Sequence, residues 1–346
     1  MGVFDFLKRK STFVTLRESN RILIGSDDKL TDYDVSDGLI NGYAKNPLIN
    51  QVINKIASTV AGLPIKYNSS EVEKLLNKPN KTDFKSDFIE KIVISLLSTG
   101  SAFLYSEDYI SGTPKEMRVL KTQYLEPRYD QYNEVYLLDY DFGNGYTAQI
   151  MPNEILQIKF PNIIDNGSES YWGVSPIRAL KSTYDASNDV FTAQKHLFKN
   201  KGAVGFISSA DSNLPLTPNE KMAIDNSLKE RIGGADRYGK VITLDTPTSY
   251  TDIGKSPKDL MLGESNKDFL RIICSSFGVD SALFNDPDNK TYSNRKEAKV
   301  DYYNDVIVPL TNKIFSAMNY TYGWSIEIDI AEIETLNPND ESEKGI

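Results

Sequence analysis

Apolar positions fall into helical register from Asn46 onward. Ile49, Val52, Ile53, Ile56 and Val60 form one stripe. Asn46 stands at the N-cap, Pro47 at the first helical position, and Gly62 can end the helix. "LPIKY" then reads as a short strand and "EVEKLLNKPN" as a short helix stopped by Pro79. A second amphipathic helix is predicted from about Thr82 to Thr99, with Phe84, Phe88, Ile92 and Leu96 on one stripe. Gly100 ends it and "SAFLYSE" follows as a strand. From Lys115 to Phe160 the pattern turns to short strands: "MRVLKTQYLEPRY", "EVYLLDYDF", "YTAQIMP" and "ILQIKF". With turn signals such as Gly143-Asn144-Gly145, they predict one antiparallel meander.

Two longer helical patterns follow. The first opens on Ser175-Pro176 and carries Ile177, Leu180, Tyr184, Phe191 and Phe198, interrupted by Ser187 and Gln194. It predicts a rod of about 36 Å whose narrow apolar stripe suits packing between copies of the chain. The second opens on Ser256-Pro257 and stops at Gly278, a rod of about 30 Å. Between them lies a compact insert. "GAVGFIS" reads as a strand, "LTPNEKMAIDNSLKERIGG" as a helix with a Thr217–Glu220 capping box, and "GKVITLD" and "TSYTDIG" as two more strands.

After the second rod comes "FNDPDNKTYSNRKEA", Phe284 to Ala298. Its start has the carboxylates of a cation loop and its end has Asn294 and Glu297 at helix-cap spacing. A calcium loop counted from Asp286 needs glycine at its sixth position and glutamate at its twelfth. Those positions hold Thr291 and Glu297, and Pro287 is out of place, which argues against a cation site. A helix is predicted from Asn294 to about Tyr320, kinked or broken at Pro309. From Glu327 the chain is acidic, and an acidic tail ending in disorder is expected. Residues 1–45 read as a polar arm with little core of its own.

Composition narrows the chemistry. The chain has 346 residues, 40% hydrophobic and 25% charged, enough for a sizeable core. Its net charge is −9, and the basic residues are mixed with acids, so tight static binding of nucleic acid is not expected. Cys274 is the only cysteine, which excludes an internal disulfide and a thiolate-rich zinc site. His196 is the only histidine. No P-loop, dinucleotide fingerprint, H-E-x-x-H or nucleophile elbow occurs. No segment is long and apolar enough to span a bilayer, and "MGVFDFLKRK" lacks the order of a secretory signal. No catalytic residue, cofactor or metal is assigned.

The order of elements, and four segments in the right sequence, resemble the portal proteins of tailed bacteriophages. "LLNKPNKTDFKSDFIEKIVISLLSTGSAFLY" is similar to a leucine–PN–helix–Gly–strand block. "YWGVSPIRAL" resembles the segment that opens a long helix, and "FKNKGAVGFI" the exit from it. "FGVDSALFNDPDNKTYSNRKEA" resembles a loop and Y-S-N segment, with Asp280 where the family usually has proline. The resemblance implies an α+β, ring-forming portal fold. Its parts would be an N-terminal arm (1–45), a wing (46–174), two stem helices (175–200 and 256–278) and a β-α-β-β clip (201–255). A tunnel loop with the start of a kinked helix (279–300) and a wing or crown helix with acidic tail (301–346) would complete it. Such a ring, typically a dodecamer, sits at one capsid vertex of the virion and passes double-stranded DNA during packaging and ejection. Its implied partners are further copies of itself, the major capsid protein, the terminase large subunit, a head-tail adaptor and, transiently, the duplex; no membrane is implied. Synthesis in the host bacterial cytoplasm is expected. The implied DNA-proximal positions are Asn285, Asp286, Asp288, Asn289, Lys290, Thr291, Tyr292 and Arg295. Lys195, Lys199 and Lys201 would form a basic junction between stem and clip. Two rival readings stand beside this one: a metal-dependent soluble enzyme using the acidic loop 285–289, and a capsid-associated scaffold without a channel.

Overall fold

The computed structural model describes residues 38–110, 113–143, 145–165, 167–199, 205–209, 217–232, 248–252, 262–286, 288 and 292–336. The first helix, α1 (Pro47–Ala61), buries Ile49, Val52, Ile53 and Ile56 completely. Asn46 caps it as the sequence requires: its Oδ1 accepts from the Leu48 and Ile49 amides, each at 3.1 Å. The amide nitrogen of the same side chain donates to Ser187 Oγ and, at 3.0 Å, to Asn188 Oδ1. One buried asparagine therefore caps a helix and ties it to a helix 141 residues later.

A short strand, β1 (Ile65–Lys66), leads to α2 (Ser70–Asn77). The next helix, α3, runs Lys85–Thr99, three residues short of the predicted start. Asn80 is the reason. Its Oδ1 accepts from the Thr82 and Asp83 amides, closing a turn that competes with helix. Its amide donates to Met117 O at 2.9 Å, while Pro79 O accepts from the Met117 amide at 2.8 Å. The PN pair thus bolts this turn to a strand edge.

The predicted single meander is two sheets. In the first, β2 (Ser101–Ile110) is central, antiparallel to β3 (Thr113–Leu120) and β7 (Ile155–Lys159). The second has the order β4 (Leu125–Tyr129), β5 (Val135–Asp141), β6 (Thr147–Ile150). The segment that reads as one long strand breaks at a 3-10 turn, Thr122–Tyr124, and its halves join different sheets. Phe103 of the first sheet and Leu125, Leu138, Tyr140 and Ile150 of the second share one core. Phe103 packs edge-on against Trp172 at 5.6 Å.

Helix α3 ends on Gly100, and the chain from β7 passes back over that point. Gly100 has φ +83°, a left-handed conformation that suits glycine. A Cβ on Gly173 would lie 2.0 Å from the Gly100 carbonyl oxygen, and one on Gly100 would lie 2.4 Å from the Gly173 oxygen. The crossing is bonded on both sides: Phe160 N to Gly100 O (2.9 Å), Gly173 N to Ser101 Oγ (2.8 Å), and Ser175 Oγ to Leu97 O (2.7 Å).

Ser175 also caps α4 (Pro176–Ala179), accepting from the Ile177 amide. Helical geometry breaks at Leu180 and resumes as α5 (Lys181–Lys199), so the first predicted rod is two helices. Its stripe divides too. Ile177, Leu180 and Tyr184 are buried in this chain's own core, which corrects their assignment to contacts between copies. Phe191 is half-buried, and the side chain of Phe198 lies outside the described residues. Ser187 is fully buried as a partner of Asn46 and donates to Tyr184 O at 3.0 Å.

The insert comprises β8 (Gly205–Ser209), α6 (Pro218–Ile232) and β9 (Thr248–Asp252), with β8 and β9 antiparallel. The capping box forms: the Thr217 amide donates to Glu220 Oε2 at 2.8 Å and the Glu220 amide to Thr217 Oγ1 at 3.4 Å. The expected strand at "GKVITLD" and the expected helix start at Ser256 lie outside the described residues. Helix α7 (Leu262–Ser276) packs on α5.

The last helical run does not break at Pro309. It consists of α8 (Tyr292–Asp301), a π-helical segment (Tyr302–Ile307) and α9 (Val308–Tyr322). The Val308 amide bonds Tyr303 O, five residues back. This wider turn, immediately before the proline, takes up the change of hydrogen-bond register. The Tyr302 hydroxyl donates to Lys55 O and Thr59 Oγ1, each at 3.2 Å, tying the run to α1.

Strand β10 (Glu327–Ile328) then pairs with β1. Lys66 meets Asp329 at 2.8 Å. The acidic segment has defined structure through Leu336, and residues 337–346, where the expected disordered end falls, lie outside the described set. At the other end, Gly38–Ala44 is a π-helical turn with Gly42 packed on Ile177 and Tyr184, so this part of the predicted arm belongs to the body.

The crossing predicts a contrast. Gly173→Ala should destabilise by about 3 kcal/mol, since neither backbone can yield. Gly143→Ala, at φ +84° with open space around it, should cost only about 1 kcal/mol. Urea midpoints of the two variants check this.

Candidate functional site

The segment after α7 is built from local caps. Gly278, at φ +68°, ends the helix. Asp280 caps a 3-10 turn, Ser281–Phe284, accepting from the Ala282 amide at 2.7 Å. Asn285 follows in the left-handed region at φ +60°, which asparagine tolerates better than most residues.

Asp286 then turns inward. Its side chain is 2% exposed. Arg271 of α7 grips it with two parallel bonds, Nε to Oδ2 (2.7 Å) and Nη2 to Oδ1 (3.0 Å). Ser281 Oγ donates to Oδ2 at 2.9 Å and the Asp288 amide to Oδ1 at 3.1 Å. Arg271 also reaches Asp288 Oδ2 at 2.7 Å, with Lys267 Nζ 3.4 Å from that carboxylate. The Arg271 hydrogen bonds hold Asp286 well below the usual carboxylate range, against the opposing effect of burial. Arg271, then Lys267, lower Asp288 in the same direction. Asp286 is covered without being deep: it lies near the surface beneath its own partners.

This geometry corrects the sequence reading. Asp286 offers no free carboxylate to a passing duplex from this chain. The carboxylates of the apparent cation loop close around the Arg271 guanidinium. The anchor's other half, Arg271 with Lys267 one turn before it, escaped notice because it sits 15 residues upstream on another element. The spacing of four that puts both cations on one helical face was the available signal.

Helix α8 starts at Tyr292, so Asn294 lies in the first turn and is not the N-cap. A cap pattern alone fixes a helix start only to a residue or two. Arg295 is exposed on this helix. The side chain of Tyr292 is not among those described, and Asn289, Lys290 and Thr291 lie outside the described residues altogether. Lys195 is exposed on α5 and takes no part in the Arg271 cluster; the Lys199 side chain and Lys201 are outside the described set. Behind the site, Cys274 is 1% exposed, and burial pushes its thiol up to about 12, so it is a core residue without thiolate character.

Comparison with known proteins bears on the arrangement of packed helices, intervening module and anchored loop. The profile of the phage portal protein family matches residues 47–344. The chain belongs to the phage portal protein family. The portal protein of Escherichia phage T5 is 23% identical over 318 residues, covering 87% of this chain and 75% of that one. A structure described as the neck of a native GTA particle computed with C12 symmetry superposes with a TM-score of 0.66 at 24% identity, covering 88% of this chain and 86% of that one. An HK97-family phage portal protein from Corynebacterium diphtheriae superposes at 0.61 with 14% identity, covering 84% and 94%. The α+β fold is thus the portal fold. No helix among the described residues is long and apolar enough to cross a membrane.

Two exchanges separate anchor from catch. Asp286→Asn should lower the melting temperature by several degrees, because it weakens a covered, four-bond carboxylate. Asp288→Asn, whose side chain is 57% exposed, should change it little. Because the Asp286 carboxyl is held low, its stabilisation is complete above the ordinary carboxylate pKa and is lost as pH falls. The gap between wild type and Asp286→Asn should therefore begin to narrow below about pH 4 and go on narrowing with further acidification, which melting curves across pH test.

Proposed function

We propose that this chain is the repeating subunit of a closed portal ring at one capsid vertex, a channel through which double-stranded DNA is packaged and ejected. The observation that carries the reading is the extent of the family match, which runs through both packed helices and the module between them. The antiparallel pairing of β8 with β9 supports it. It returns the insert to where it left, so the insert can stand as a small clip on a two-helix stem.

On this reading residues 46–174 form most of the wing. The stem helices are 175–200 and 256–278, the clip is 201–255, and residues 301–346 complete the wing and crown. Twelve copies are assigned to the ring, and the virion is its location. The clip faces the terminase large subunit during packaging and the head-tail adaptor afterwards, and the wing meets the major capsid protein. The energy of packaging is assigned to a separate ATPase, and no residue here is given a catalytic role. Asn289, Lys290, Thr291 and Arg295 are assigned to the channel side, beyond an anchor set by Arg271, Asp286 and Asp288. The net charge of −9 supports a conduit, since a moving duplex is kept off a wall of like charge.

Class averages of the purified protein in negative stain should show rings with a central pore. A monomer, or an assembly without a pore, would sink the proposal. Lys290→Ala and Arg295→Ala should leave the ring intact and alter DNA packaging or retention. Loss of the ring in either variant would make the loop structural.

A further inference from the structure

Strands β1 and β10 are two residues long each, and their sheet stops at two strands, which is marginal without a further partner. The register leaves one edge open. Ile65 faces Ile328, Lys66 faces Glu327, and the Asp329 amide donates to Pro64 O at 3.0 Å. In an antiparallel ladder alternate residues turn their main-chain groups to the partner. Glu327 and Asp329 therefore turn theirs to β1, and Ile326 and Ile328 turn theirs away. On that far side Ile326 is already served. Asn319 of α9 donates its amide nitrogen to Ile326 O at 3.0 Å and accepts from the Ile326 amide at 2.9 Å, as a neighbouring strand would. The next rung, at Ile328, has no such partner among the described residues.

The open rung lies in a slot. The chain reverses after Tyr322, so β10 runs back along α9. Ile328 stands about 7 Å beyond Ile326. Ser316 and Asn312 stand about 4.5 and 10.5 Å back from Asn319 along the helix axis. The three polar side chains are spaced by three and four residues, hence on one face of α9. With Ile328 and Ile330 they line a recess of about 320 Å³, in which Asn312 and Ser316 are exposed. An open main-chain edge beside side-chain amide and hydroxyl groups is the geometry that accepts an added strand.

Charge selects the strand. Glu327 lines the slot, and Glu332 is exposed two residues past Ile330. The nearby cations are engaged: Lys66 by Asp329, and Lys313 over the Phe160 ring. An occupant of this edge should be extended and basic. The segment Lys8–Arg17, "KRKSTFVTLR", has four cations, no acid, and strand-forming residues from Thr12 to Leu16, in a chain whose net charge is −9. Residues 18–37, which link it to the described body, can span up to about 70 Å, enough to cross to an adjacent copy. We propose that the slot between α9 and β10 binds Lys8–Arg17 of a second copy as a third strand, so that exchanged N-terminal segments tie neighbouring subunits together. The adjacent copy rests on the ring reading; the slot itself does not.

The test is cysteine cross-linking in the assembled full-length protein. Cys274 is 1% exposed, so the native background is low. Ser316→Cys is combined with Val14→Cys or with Thr15→Cys, because adjacent strand residues face opposite sides. Oxidation with copper phenanthroline should give a ladder of multimers on a non-reducing gel for one of the two pairs. Lys74→Cys, at an exposed position on α2, combined with the same partner should give at least about fivefold less product. Adding Lys8→Glu, Arg9→Glu and Lys10→Glu should abolish the ladder, and adding Glu327→Lys and Glu332→Lys to that chain should restore it. Equal yields from positions 316 and 74, a product that stays monomeric, or no product from either pair would overturn the proposal. Class averages on the same samples keep the two ideas apart. Intact rings without the ladder reject the slot and leave the portal reading standing, whereas the absence of rings rejects the portal reading and leaves the slot to the cross-link.

Discussion

Two backbones touch at Gly100 and Gly173, and the architecture is organised around that contact. Either side alone is ordinary: a helix ending in left-handed glycine, and a glycine before a helix cap. Together they bring carbonyl and amide groups to a separation that no side chain allows. The Phe160, Gly173 and Ser175 bonds then fix three directions at once: the exit of α3, the return of β7 and the departure of α4. What leaves this point is the helical run leading to the insert. The angle between sheet and rod is thus set by main-chain contact, the least adaptable kind of packing, and not by apolar side chains that can repack.

The same contact explains why two separate sequence motifs exist. The "STGS" and "WGVSP" segments lie some 70 residues apart and read in isolation as turn signals. In the structure they are two halves of one joint. Local chemistry was legible in the sequence: Asn46, Ser175 and Thr217 cap the helices they precede, because a cap is settled within three residues. Partnerships settled across the chain were not. Nothing near Ile155 says that its strand turns back to β2 and leaves the meander, and nothing near Asp286 names Arg271. Ser187 is the sharpest case. A polar residue in an apolar stripe reads as a gap facing solvent, yet it is buried because Asn46 brings it a donor.

Charge in this chain is arranged by reach. Paired acids such as Asp286, Asp83 and Asp165 each have a cation within 2.8 Å and contribute little to the field at a distance. The remaining charge determines how the surface looks to a polyanion. At physiological salt that view extends only about 8 Å, so the net charge of −9 acts on its surroundings through the groups nearest the surface.

The π-helical segment Tyr302–Ile307 has a geometric effect along the last helical run. It holds one more residue than an α-helix would place in the same length. Each residue in a helix turns the face by roughly 100°, so the segment acts as an angular offset between α8 and α9. On one side of it the helix buries Ala298; on the other it buries Leu310, Ile314 and Met318. The irregular turn lets one continuous rod obey two surroundings, so the length of this segment is under tighter constraint than its composition.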